Sequence, residues 1–96
     1  GTFSIYGERP VAILVLRNRQ ARQRAHIDRL AGLFGLTLAE ARLAIEMARG
    51  DGREAAAARC GISVNTARSH LTRIFEKTGV SRQAELAKLL SDSGIT

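Results

Sequence analysis

The stretch GISVNTARSHLTRIFEKTGVSRQAEL, Gly61 to Leu86, constrains this chain more than any other. A tight glycine turn, a capped amphipathic segment and a second capped segment follow one another with no spare residues. Before it lies the short Ala-rich run Arg53 to Cys60. Gly61 can take the left-handed conformation that ends one helix and turns the chain into the next. Ser63 then stands where an N-cap belongs, its hydroxyl placed to accept from the free amides of the new first turn. The pattern predicts two helices joined by a tight turn.

The polarity of the segment Val64 to Lys77 says what such a helix is suited to. Val64, Ala67, Leu71, Ile74 and Phe75 recur at helical spacing and form one apolar stripe, which should pack on the preceding helices. Asn65, Arg68, Ser69, Thr72 and Glu76 form a second stripe on roughly the opposite side, with His70, Arg73 and Lys77 on its flank. A helix about 21 Å long, at ~1.5 Å per residue, with short hydrogen-bonding side chains in the middle and cations at the edge, suits a DNA major groove. Any surface helix is polar outside. The groove reading is preferred because the turn, the cap and the net charge of +6 agree with it.

From about Gly35 to Leu90 the sequence resembles the DNA-binding domain of the LuxR family of bacterial transcription regulators, also called the LuxR/FixJ or GerE-type domain. The resemblance rests on LTLAEARLAIEMARG (Leu36 to Gly50), GISVNTARSHLTRIFEKTGV (Gly61 to Val80) and SRQAEL (Ser81 to Leu86). It is carried by Thr37 and Glu40, by Gly61, Ile62 and Ser63, by Thr66, Arg68 and His70, and by Gly79, Val80, Ala84, Glu85 and Leu86. Each piece alone is weak; the set is specific. Ala56 and Ala67 stand where larger aliphatic residues are usual, Cys60 replaces a Leu, and Gly52 occupies the usual cap of the second helix. The resemblance implies a mainly α, four-helix helix-turn-helix bundle that binds DNA.

The other segments read the same way from their own residues. Thr37 with Glu40 makes a capping box for a helix from Leu38 to Arg49, in which Leu43, Ile45, Met47 and Ala48 offer apolar surface. Gly50, Asp51 and Gly52 stop it, and either Asp51 or Gly52 can cap the next. Ser81 is expected to cap a last helix running to about Ser91. Ala84, Leu86, Ala87, Leu89 and Leu90 give that helix more apolar surface than a small bundle must bury. In the resembled family it often carries the dimer contact, so Ala87, Leu89 and Leu90 are read as core or as dimerisation surface with equal weight.

Upstream, Phe3 to Tyr6 and Val11 to Leu16 look like two strands around a Gly7 to Pro10 turn. A lone hairpin is marginal in water, and VAILVL is apolar on both faces, as in a strand inside a larger sheet. Residues 1–16 are therefore expected to be the last strands of an upstream sensing domain, or a hairpin that pairs with a second copy. Arg17, Arg19, Arg22 and Arg24, with no acid among them, read as a solvated basic linker over 17–25. The DNA-binding domain is placed at 26–96, opening on a short helix near Ala25 that presses Ile27, Leu30, Leu33 and Phe34 onto the bundle.

Composition narrows the classes further. A net charge of +6 and a pI near 11 point to a polyanionic partner. Val11 to Leu16 is too short for a membrane span, and no secretory signal opens the chain. A single cysteine forms no internal disulfide, which together with the absent signal favours the cytoplasm. Cys60 reads as a small apolar residue, and His26 and His70 lack partners at metal-ligand spacing. No catalytic group, cofactor or metal is expected.

The expected function is sequence-specific binding of double-stranded DNA by the output domain of a transcription regulator, acting through RNA polymerase and as a homodimer on DNA. Arg68, Ser69 and Thr72 are expected at base edges, and Asn65, Thr66, His70, Arg73 and Lys77 at backbone phosphates. The alternatives are a sigma-factor-like promoter module and a helix-turn-helix used for protein interaction.

Overall fold

The computed structural model describes residues 9–95, with side chains from Arg17 onward. Among these residues the chain is all-helical: α1 (Arg9–Phe34), α2 (Leu38–Met47), α3 (Arg53–Cys60), α4 (Val64–Thr78) and α5 (Gln83–Asp92). α2 is the hub, packed against each of the other four, and α3 and α4 pack on each other. The core gathers where they meet, with Leu30, Leu43, Ile74, Leu86, Leu90 and Ile95 all essentially inaccessible to solvent. Burying each such side chain contributes about 1.5–3 kcal/mol.

Glycine followed by an apolar residue punctuates the bundle. Gly61 lies at φ 68°, where its amide reaches the Ala58 carbonyl at 3.1 Å and the Ile62 amide reaches Ala57 at 3.0 Å. That pairing of bonds closes a helix and swings the next residue back onto it. The same device ends α1 and α5, where Leu36 bonds back to Ala31 and Ile95 to Leu90, leaving both side chains buried. At the other ends, the capping box is present. Thr37 Oγ1 accepts from the Glu40 amide at 3.1 Å, and Glu40 Oε1 accepts from the Thr37 amide at 3.0 Å.

Four sequence expectations need correction. Val11 to Leu16 lies within α1 and is helical rather than a strand; Phe3 to Tyr6 falls outside the described residues. A short continuous apolar run does not distinguish strand from helix by periodicity, and the residues after it, rich in Arg, Gln and Ala, are strong helix formers. The basic segment from Arg17 to Arg24 and the helix expected near Ala25 are therefore turns of one continuous 26-residue helix, and Pro10 sits in its first turn, where a missing amide is harmless. At the other end, Ser81 does not cap α5. The N-cap is Arg82, without a side-chain bond, and the Ser81 hydroxyl instead meets Glu85 Oε1 at 3.2 Å. Finally, α2 ends at Met47 and not at Arg49, because the amides of Arg49 and Gly50 already turn back to Glu46 and Met47.

Shape follows from α1. The radius of gyration is 16.2 Å, against about 12 Å for a compact domain of this size, because a helix of ~39 Å at 1.5 Å per residue overhangs a much smaller bundle.

Candidate nucleic-acid interface

Two caps and one buried stripe aim α4. The Ser63 hydroxyl accepts from the Thr66 amide at 3.1 Å and donates to Thr66 Oγ1 at 2.9 Å. Gly79, at φ 78°, closes the other end. Ala67, Leu71 and Ile74 are buried against α2 and α3, and Phe75 is half-buried beside them. Fixing that stripe inward fixes the opposite one outward. Asn65, Thr66, Arg68, Ser69, Thr72 and Arg73 are all solvent-exposed on this helix.

Their chemistry is that of hydrogen-bonding groups with two cations. At 100° per residue, Asn65, Ser69, Thr72 and Glu76 share the crest, Arg68 stands on one shoulder and Thr66 and Arg73 on the other. Ser69 and Thr72 donate their hydroxyls back to the carbonyls of Asn65 and Arg68, at 3.3 and 3.1 Å. This leaves their oxygen lone pairs outward as acceptors. Neither Arg68 nor Arg73 forms an ion pair among the described residues. Both guanidiniums are available to an anion.

Lys77 is not. Its Nζ lies 2.8 Å from Oε1 of Glu40, a carboxylate only 1% exposed. Burial pushes the Glu40 carboxyl up. The hydrogen bond from Lys77, that from the Thr37 amide and the Lys77 charge together outweigh it, and hold the group below its ordinary value. Lys77 thus ties the end of α4 to the start of α2. His70 is intermediate as well: it is half-buried, and its Nδ1 is enclosed without a hydrogen-bond partner. Only the outer part of that ring faces water.

A second ionic tie sets the angle of α3. Arg59 donates to both Glu46 and Asp51, with Nη2 reaching Asp51 Oδ1 at 2.9 Å and the Glu46 carbonyl at 3.0 Å. It thereby straps α3 across the Gly50 to Gly52 turn to the end of α2. The Arg59 hydrogen bond is the main reason the Asp51 carboxyl sits below its ordinary value, and Asp51 and Glu46 raise that of Arg59 in turn. Asp51 is therefore occupied, and Gly52, at φ 98°, is the N-cap of α3. Ala56 and Ala67, small where the resembled family is larger, are both fully buried where α3 and α4 meet.

Arg53 is an exposed cation beside this face that the sequence did not single out. It is exposed at the first position of α3. With Arg68 it lines two shallow concavities, one of about 460 Å³ where α3 and α4 meet the end of α2 and the start of α5, the other of about 260 Å³ between α3 and α4. Glu54 and Asp51 share the smaller concavity, and Asp51 is already neutralised by Arg59.

The expected dimerisation residues divide. Leu90 is completely buried in the core and forms no outer surface, while Ala87 and Leu89 are half-buried. Leu90 shares one buried core with Leu86, Leu30 and the returning Ile95, whose amide bonds to the Leu90 carbonyl. Cys60 is half-buried and burial pushes its thiol up, so the nucleophilic thiolate is disfavoured. Among the described residues no cluster of His, Cys, Asp and Glu has the makings of a metal site, and no helix is long and apolar enough to cross a membrane. No family model, curated protein or solved structure matches the chain.

Proposed function

We propose that this domain is a sequence-specific reader of double-stranded DNA, the output module of a transcription regulator of the LuxR type, with α4 seated in the major groove. The single observation that carries the reading is α4 itself. It is a capped helix, buried along one side, whose other side exposes hydroxyls, an amide and two unpaired guanidiniums directly after a left-handed glycine turn. That surface combines the donors and acceptors that distinguish base edges with the cations that hold phosphates.

Arg68 is the principal base reader, because a guanidinium gives two parallel hydrogen bonds to guanine. Ser69 and Thr72 offer acceptor oxygens beside it. Thr66, Arg73 and the exposed edge of His70 hold the backbone on one shoulder and Arg53 on the other, beside Arg68, with Asn65 between them, while Lys77 braces the helix on Glu40. Two copies set one helical turn apart, roughly 34 Å, read a pseudopalindrome, with Ala87 and Leu89 as the available part of the α5 contact. Regulation then follows from recruiting or blocking RNA polymerase and involves no chemistry on a substrate.

The test is selection of duplexes from a randomised pool, followed by titration of the best duplex and a scrambled one. The expected preference is on the order of 10³-fold at physiological salt. Equal affinity for the two duplexes at every salt concentration would falsify the reading.

A further inference from the structure

Along one face of α1, Gln20, Gln23, Ile27, Leu30 and Phe34 alternate at spacings of three and four, the rhythm of a coiled-coil seam. Its foot is already occupied: Leu30 is fully buried, and Ile27 and Phe34 pack on the core. Above Ile27 the same face runs out beyond the bundle. Where it leaves, α1 and α2 enclose an open groove of about 640 Å³ whose apolar floor includes Ile27, Leu38 and Ala39. Leu38 is 61% exposed at the first position of α2, where neither capping nor core packing asks for a leucine.

The rim of the groove is basic. Arg24 and Arg42 stand on it with Asp28 as the only acid, and Arg42 is steadied by donating to the Arg59 carbonyl at 3.1 Å. Exposed Arg17, Arg19 and Arg22 continue the charge up α1, with no carboxylate between Arg9 and Asp28. A second copy of this chain fits poorly, because a parallel seam sets Arg19 of one helix against Arg24 of the other. Nucleic acid would use the arginines and leave Leu38 and Ile27 in water. From this juxtaposition we infer that the groove receives an amphipathic helix with acidic flanks, its apolar stripe laid on Ile27 and Leu38 and its carboxylates on Arg24, Arg42 and the arginines above. Helix-in-groove recognition uses that combination of apolar anchors and flanking charge. The inference stands apart from the reading of α4.

The probe is a synthetic peptide of three heptads with a leucine seam and Glu flanks, labelled for fluorescence anisotropy and titrated with the whole chain. A twin with Lys flanks is the control. The Glu peptide should bind saturably and more weakly as salt rises, and the Lys peptide should not bind. Leu38→Gln and Arg24→Glu, both at exposed positions and checked for helicity by circular dichroism, should each weaken binding by roughly tenfold. Absence of saturable binding, equal binding of the two peptides, or indifference to Leu38→Gln overturns the assignment. So does a dimer of the parent in sedimentation equilibrium that Leu38→Gln dissolves, since that gives the groove to a second copy. Duplex DNA whose binding falls with Arg24→Glu and not with Leu38→Gln likewise overturns it in favour of nucleic acid.

Discussion

α1 and α4 are the two long helices of the domain, and they are stabilised in opposite ways. α4 carries its instructions locally: Ser63 starts it, Gly79 stops it, and every turn contributes to a buried stripe. α1 has no acidic residue in its first turn and no basic one in its last; its visible anchorage is the foot around Leu30, from which helix-forming residues propagate upward. A helix held by caps and a continuous stripe presents a fixed face. One held at its foot presents an arm. The exposed arginines of α4 are therefore placed for recognition in register, whereas those of α1 surround a projecting rod.

The comparison breaks most visibly through the buried residues. Ile74→Ala in α4 and Leu30→Ala at the foot of α1 should each cost about 2–5 kcal/mol in urea denaturation. That is a large part of the ~5–15 kcal/mol of a typical domain. Leu33→Ala, at a position 54% exposed, should stay within roughly 0.5 kcal/mol. If Leu30→Ala proves as mild as Leu33→Ala, the foot of α1 is not core and the contrast between the helices is wrong.

The same contrast explains what could be read from the sequence. α3 and α4, the turn between them, and the exposed stripe of α4 were legible because caps, glycines and apolar spacing agree locally. The unity of α1 was not, since an all-round apolar VAILVL and an all-round polar RNRQARQR share no period. The site was legible as a face and less so as individual roles. Arg68, Ser69, Thr72, Asn65, Thr66 and Arg73 lie on the exposed face expected of them. Lys77 is exposed as well but paired with Glu40, a partner far along the chain, and Leu90 is core, one of the two readings its spacing left open.

Lys77 sharpens the comparison next. Lys77→Met should cost about 1–3 kcal/mol, as expected for leaving a buried charged acceptor poorly satisfied, although its side chain is a third exposed. The pH dependence distinguishes this role from a phosphate contact. In the parent the Glu40 carboxyl is depressed below its ordinary 4.5, so its stabilisation is complete above that pH and is lost as pH falls through the lower folded value. Asp51, depressed from 3.8, adds in the same direction. In Lys77→Met, burial of Glu40 is opposed only by the Thr37 bonds, and the loss of melting temperature below about pH 4.5 should flatten. An unaltered acid limb would remove the Glu40 bond from the stability of the fold.

Arg68→Ala tests the recognition face without touching the core. Its expected effect is the loss of ~1–3 kcal/mol of discrimination between the best and a scrambled duplex, with a urea midpoint unchanged. A variant that keeps the parent's ratio of affinities shows that Arg68 reads no base. Arg53→Ala should weaken both duplexes together and leave that ratio alone.

The smallest effect separates the two sets of arginines directly. Arg73 stands on the α4 shoulder, in a helix whose position is fixed from both ends, and on the proposed reading it holds one phosphate. Removing one such contact should lower the slope of log affinity against log salt by about 0.9 for B-form DNA, and it should do so for specific and scrambled duplexes alike. Arg22 carries the same charge on α1, on a stretch of helix with no packing on the bundle to hold it at a particular distance from DNA bound at α4. Arg22→Ala should leave the slope unchanged. Equal losses of slope in the two variants would mean that the arm of α1 lies along the DNA in register with α4, and the distinction between a fixed reading face and a projecting arm would have to be abandoned.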